Sequence, residues 1–259
     1  MSDEQTPLIL MYHSIIATPS DAPAQREEGA DLYDVNTNTF KEQLAWLKKN
    51  GYKSTFDTSQ KKDGHFHHVI LTFDDGELNN LTRALPILEE AGFKAYFFII
   101  GKRVGKPGYL NWADIQKLLN AGMIVGSHGL SHEILTNLLE TQAYEELRAS
   151  KVFLERNLNI TVDSLSIPRG FCNNKIIGMA HQLGYKNIFI SDKPKNLTQP
   201  CFSRLAVKGS WDIHRFAKGC RGEIPKMEFV AGKIKGALKL ILKEEGYNQL
   251  RNLLVKTIK

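Results

Sequence analysis

One unit recurs along this chain and constrains its fold more than any other feature: an amphipathic helix, a glycine, an apolar residue and then a strand. It appears as "FKEQLAWLKKNGYKS", "LTRALPILEEAGFKAYFFII", "WADIQKLLNAGMIVGSH" and "NNKIIGMAHQLGYKNIFIS". In the first copy Phe40, Leu44 and Leu47 share one helical face, and Gly51 stands where a left-handed C-terminal cap is needed. Gly92, Gly122 and Gly184 take the same place in the other copies. The strand segments that follow are apolar on both faces, as parallel strands covered by helices must be. Strands alternating with helices over 259 residues predict a single parallel α/β domain, and a barrel is the simplest closure.

Three stretches break the rhythm. Residues 17–35 are rich in proline, small and acidic residues and read as a long surface loop, a candidate flap over a site. Residues 57–68, "DTSQKKDGHFHH", read as a polar connection. From residue 226 onward two amphipathic helices are expected, with lysines between apolar residues. This tail holds eight Lys and Arg against three Glu, so +5 of the net charge of +6 sits there. The body is therefore nearly neutral, and it lacks the interleaved aromatic and basic residues of a single-strand binding surface; a nucleic-acid partner is not expected. The tail is expected to brace the barrel, with peripheral membrane contact as a second candidate role. Cys172, Cys201 and Cys220, odd in number and irregularly spaced, predict reduced thiols. The apolar run at the N-terminus contains His13 and follows no basic segment, which argues against a secretory signal and for a cytoplasmic location.

The chemistry concentrates in two clusters at strand ends. In "VILTFDDGE" an apolar strand ends in Asp74 and Asp75, and Gly76 permits an immediate turn that brings both carboxylates to one pocket. Adjacent buried carboxylates require a neutralising partner. The alternative is that one caps the next helix while the other is solvated. In "VGSHGLSHEIL" His128 and His132 are four residues apart; on a helix they would lie one above the other, as two ligands of one metal require. Two surface histidines at a helix start are the competing explanation. If both clusters meet, one Asp and two His form a frequent ligand set for a first-row transition metal, and the other Asp is free to act as a base.

These pieces resemble the polysaccharide deacetylases of the NodB-homology type, carbohydrate esterase family 4. The resemblance runs from about Leu8 to about Phe216 and rests on "TFDDG" at 72–76 and "SHGLSH" at 127–132. It is supported by "LMYHSI" at 10–15, "FKEQLAWLKKNGYKS" at 40–54 and "SIPRGFCN" at 166–173. It implies a distorted (β/α) barrel over residues 1–225, followed by a C-terminal helical extension over 226–259. By the family's pattern Asp74 is the general base, and Asp75, His128 and His132 bind a divalent ion, zinc first, with cobalt, nickel or iron also suited. Gly129 departs from the Ser or Thr usual at its position. The "MYHSI" segment is similar to that of the subgroup resembling poly-N-acetylglucosamine deacetylases, which implies that His13 is the catalytic acid; His214 is the substitute candidate. Pro168, Arg169 and Gly170 match a loop whose main chain helps hold the oxyanion, although Arg169 stands where an aromatic residue is frequent and Ser166 where some members have arginine. Arg204 corresponds to the cation that tunes the base.

The resemblance implies metal-dependent hydrolysis of the N-acetyl group of an N-acetylated sugar or glycan. Two alternatives stay open. One is hydrolysis of another C–N bond or of an O-acetyl ester; the other is a degenerate module that binds metal and carbohydrate without turnover. His65, His67 and His68 could form a second metal site, but they read first as part of the polar connection, and His181 reads as packing or surface.

Overall fold

The computed structural model describes residues 7–60, 67–191 and 196–223. The chain runs through strands β1 (Leu8–Tyr12), β2 (Ile15–Ile16) and β3 (Val35–Asn36), helix α1 (Thr37–Lys49), then strands β4 (Tyr52–Ser54) and β5 (His67–Phe73). Helix α2 (Leu85–Ala91), strand β6 (Ala95–Ile99), helix α3 (Trp112–Asn120), strand β7 (Ile124–Ser127) and helix α4 (Glu140–Leu158) follow. Strand β8 (Ser164–Ser166), helix α5 (Asn174–Gln182), strands β9 (Asn187–Ile190), β10 (Phe202–Ser203) and β11 (Leu205–Ala206), and helix α6 (Ile213–Cys220) complete the described part.

The main sheet is parallel throughout, in the spatial order β10, β9, β8, β7, β6, β5, β1, β11. One edge of β5 pairs with β1 from Leu8↔Val69 to Tyr12↔Phe73. Its other edge serves β4 at His67–Val69 and β6 at Leu71–Phe73. Only Arg204 separates β10 from β11, so one segment pairs with β9 through its first half and with β1 through its second. That segment joins the two ends of the sheet into a nearly closed barrel, as the sequence pattern predicted.

Period-two alternation divides the strands between two apolar regions. Along β5, Val69, Leu71 and Phe73 join the large core under the helices, together with Phe40, Leu44 and Leu47 of α1. Ile70 belongs instead to a smaller cluster with Ile9, Tyr96, Phe98 and Phe189 inside the barrel. Thr72 and Asp74 continue the face of Ile70 toward the C-terminal end of the strand. The four repeat glycines, Gly51, Gly92, Gly122 and Gly184, all take left-handed φ, as the helix-ending role requires.

Several local expectations are corrected. His67 and His68 open β5 rather than closing a loop, because they pair with Tyr52 and Lys53. His65 lies outside the described residues. The stretch 17–35 contains two short 3₁₀ turns and is tied down by Asp21 to Arg83 and by Arg26 to Asp34. The helix after the aspartate pair begins as a π turn at Asn80–Ala84 before α2. The expected tail over 226–259 lies outside the described residues. Within them, no helix is long and apolar enough to cross a membrane.

Candidate active site

Asp74 follows the last residue of β5 but stays in strand register, since its N–H donates to the Tyr12 carbonyl at 3.0 Å. Its carboxylate therefore points inward, above Thr72. Asp75 would face outward if the strand continued. Instead it takes φ of 75°, followed by Gly76 at 70°, and the chain turns across the barrel mouth. A left-handed aspartate costs about 1–3 kcal/mol, which the surrounding structure must hold. Gly76 suits this left-handed position, and a Cβ there would also press on Ile99 Cδ1 at 3.0 Å.

Arg204 reaches Asp74 from the segment that joins the barrel ends. Its Nη1 donates to Oδ1 at 2.8 Å and its Nη2 to Oδ2 at 2.7 Å, with both side chains buried. Ser166 Oγ, at the end of β8, donates to Asp74 Oδ2 at 3.1 Å and accepts from Arg204 Nη2 at 2.8 Å. Burial alone would raise the Asp74 carboxyl. The charge of Arg204 and its hydrogen bonds outweigh burial and hold the group well below the usual carboxylate range.

His128 and His132 lie in an irregular segment after β7, not on a helix, and His132 has φ of 66°. The loop nevertheless brings their rings to 4.9 Å. Gly129, between them, is left-handed at φ 77°, and a Cβ would meet Pro168 Cγ at 3.1 Å, so the departure from Ser or Thr fits the local backbone. His128 Nδ1 donates to the Ser166 carbonyl at 2.8 Å. Burial pushes the His128 imidazole down to about 4, against the opposing pull of Asp74. It is therefore neutral near pH 7, with a lone pair on Nε2.

A divalent ion fits the cluster of Asp75, His128 and His132. Their ligand atoms lie within 4.8 Å of one another. Asp75 Oδ1 is buried and, among the described residues, accepts no hydrogen bond. The Nε2 atoms of His128 and His132 face it at 3.5 and 3.6 Å, too far for good hydrogen bonds and close to the separation of about 3.3 Å between ligands that share one tetrahedral ion. An orphaned carboxylate oxygen facing two imidazole lone pairs is a donor set suited to a cation.

His13 sits just past the end of β1, with its ring 4.8 Å from that of Tyr33 and its buried Nδ1 without a hydrogen-bond partner among the described residues. Its corner is held by groups that sequence reasoning did not single out. Asn80 Nδ2 donates to the His13 carbonyl at 2.8 Å, Asn79 Oδ1 accepts from the Ile15 N–H at 3.1 Å, and Ser14 Oγ donates to Glu77 at 2.5 Å. The available signal was "GELNN", three polar side chains where an ordinary helix start needs one. His214, the other candidate acid, is exposed on α6. Pro168, Arg169 and Gly170 form a 3₁₀ turn after β8 with Arg169 at φ 59°, and the Gly170 N–H is spent on the Ile167 carbonyl. Glu27, also unmarked by sequence, accepts from His132 Nδ1 at 2.8 Å. His181 and its two carbonyl partners, on Tyr185 and Pro200, belong to packing around α5.

A family model for polysaccharide deacetylases matches residues 61–188. The chain is 29% identical to YxkH of Bacillus subtilis (strain 168), over 69% of this chain and 62% of that protein. It is 25% identical to a poly-β-1,6-N-acetyl-D-glucosamine N-deacetylase of Staphylococcus aureus (strain MRSA252), over 60% of each chain. It spans less than two thirds of the length of these curated relatives. The fold is that of Streptococcus pyogenes deacetylase PplD, solved in complex with acetate (TM-score 0.69, 22% identity, 82% of this chain and 97% of that one). IcaB from Ammonifex degensii is similar in the same way (TM-score 0.67, 19% identity, 85% and 98%). The matched segment carries the aspartate pair and both histidines, and over it the chain is similar to the polysaccharide deacetylase family.

Proposed function

We propose that this protein hydrolyses the N-acetyl group of an N-acetylated sugar or glycan, releasing acetate and a free amine, with the help of a divalent ion. The observation that carries the reading is the division of labour between adjacent carboxylates: Asp74 is clamped by Arg204, while Asp75 Oδ1 faces two imidazoles. Relatives named as poly-β-1,6-N-acetyl-D-glucosamine N-deacetylases support an N-acetylhexosamine unit in the substrate.

In this reading Asp75, His128 and His132 hold the ion. When bound, such an ion polarises the acetyl carbonyl and acidifies a water molecule. Asp74 is the base that accepts the proton of the attacking water. Arg204 keeps that carboxylate ionised and aimed, at the cost of basicity. The main chain at Arg169 contributes a donor to the developing oxyanion. The departing amine needs a proton, because an amide anion is a poor leaving group, and in this reading His13 supplies it.

The test is acetate release from a panel of N-acetylhexosamine oligosaccharides with zinc or cobalt present, comparing wild type with Asp74→Asn. Release that needs the ion and falls by about 10²–10⁴-fold in Asp74→Asn is expected. Release unchanged in that variant would sink the role of the base. Tight ion binding with no release from any acetylated sugar or ester would favour a binding module without turnover.

A further inference from the structure

His132 lacks the support that His128 enjoys. His128 is 2% exposed and anchored to a strand-end carbonyl. His132 lies in an irregular segment with left-handed φ, so neither helix nor sheet fixes its ring. Its Nδ1 partner is a side chain 105 residues away, Glu27, at 2.8 Å. An ionised carboxylate only accepts, so this contact places the proton on Nδ1 and leaves the Nε2 lone pair facing Asp75 Oδ1 at 3.6 Å.

Glu27 is itself held. Burial would raise its carboxyl, but His132 and Arg103 hold it well below the usual range. Arg103 donates to the same Glu27 oxygen, packs 5.2 Å over the Tyr109 ring and donates to the Tyr109 hydroxyl at 3.2 Å. That hydroxyl in turn donates to the Gln25 carbonyl at 3.3 Å. On the other side Arg26 clamps Asp34 with two bonds, at 2.6 and 2.8 Å. Glu27 thus enters the site from a braced segment.

We infer that Glu27 is a positioning residue of the ion site, setting the tautomer and orientation of His132 and so making the 17–35 segment part of that site. The inference rests on the reading of Asp75, His128 and His132 as ion ligands. Hydrogen-bonded outer partners of this kind sharpen ligand geometry and basicity. The coupling is reciprocal: an ion that needs Nε2 bare favours the Nδ1–H that holds Glu27, and a docked Glu27 favours the ion.

The experiment uses the full chain and Zn²⁺ affinity by chelator competition, with the electronic spectrum of bound Co²⁺ as a second readout. Glu27→Ala is expected to weaken Zn²⁺ by about 10–100-fold and to shift the Co²⁺ bands. Asp34→Asn loosens the same segment without touching His132 and is expected to stay near wild type in both. Circular dichroism melts establish that each variant is folded. Unchanged affinity and spectrum in Glu27→Ala would overturn the inference, and so would equal losses in Glu27→Ala and Asp34→Asn. If wild type and His132→Ala bind Zn²⁺ equally, the ion-site reading fails first and takes the inference with it.

Discussion

The floor and the mouth of the barrel are built on the same sheet under opposite rules. At the floor Ile9, Ile70, Tyr96, Phe98 and Phe189 form a dry cluster on regular backbone, with the Phe189 ring 5.4 Å from those of both Tyr96 and Phe98. Beyond the C-terminal ends of the strands, the mouth gathers Asp74, Asp75, Ser166, His128 and Arg204, all buried. Three of the four described non-glycine residues with positive φ, namely Asp75, His132 and Arg169, lie around it; the fourth, Asn159, ends a helix. Burying charge and straining backbone both oppose folding, so the floor and the helical layer must hold the mouth in place.

The contrast is sharpest at Arg204. Arg204→Met would leave the Asp74 carboxylate buried and unpaired, at a cost of about 3–5 kcal/mol near pH 7. The sign of its pH dependence follows from the carboxyl being held low in the native state. In wild type that contribution is present above the ordinary value of 3.8 and is lost as pH falls through the depressed native value. In the variant burial raises the carboxyl, so the loss shrinks on acidification as Asp74 takes up a proton. Urea melts of both proteins without added metal, from pH 7 down to pH 4, should converge; a constant gap would mean that packing rather than charge is at stake.

Phe189→Ala cuts into the floor and is expected to cost about 3–5 kcal/mol, but with no such pH dependence. Zn²⁺ affinity measured well below the unfolding transition should stay near that of wild type. A large loss of affinity there would mean that the floor shapes the mouth directly. The smallest effect is expected outside both regions, at Gly92. It has φ of 77°, and a Cβ added there would meet nothing within 4 Å, so Gly92→Ala should cost only the left-handed strain, about 1–2 kcal/mol, read as a lower thermal midpoint.

Much of this molecule was legible before its structure. The helix, glycine and strand unit predicted the barrel because its cues are local: helical periodicity, caps and doubly buried strands. The aspartate pair and the two histidines were legible by residue type and spacing, and their family resemblance pointed to Arg204. Glu27 was not legible, since nothing marks it among the acidic residues of 17–35, and neither were Ser166, Glu77, Asn79 and Asn80 as partners. The helical geometry considered for His128–His132 is not the one adopted, for a related reason: a spacing of four is equally compatible with a loop, here packed against Pro168 and the end of β8.

The sequence by itself thus determined the alternation of elements, the apolar faces and the presence of Asp, Asp, His and His at strand ends. Tertiary structure alone decided which groups meet. Arg204 reaches Asp74 across 130 residues because its segment joins the barrel ends, and Glu27 reaches His132 across 105 because a loop folds over the mouth. The left-handed turn at Asp75, which parts two adjacent carboxylates, is likewise held by the neighbouring strands. Local propensity acts over a few residues, whereas buried charges are matched only when chain closure brings distant partners within hydrogen-bond reach.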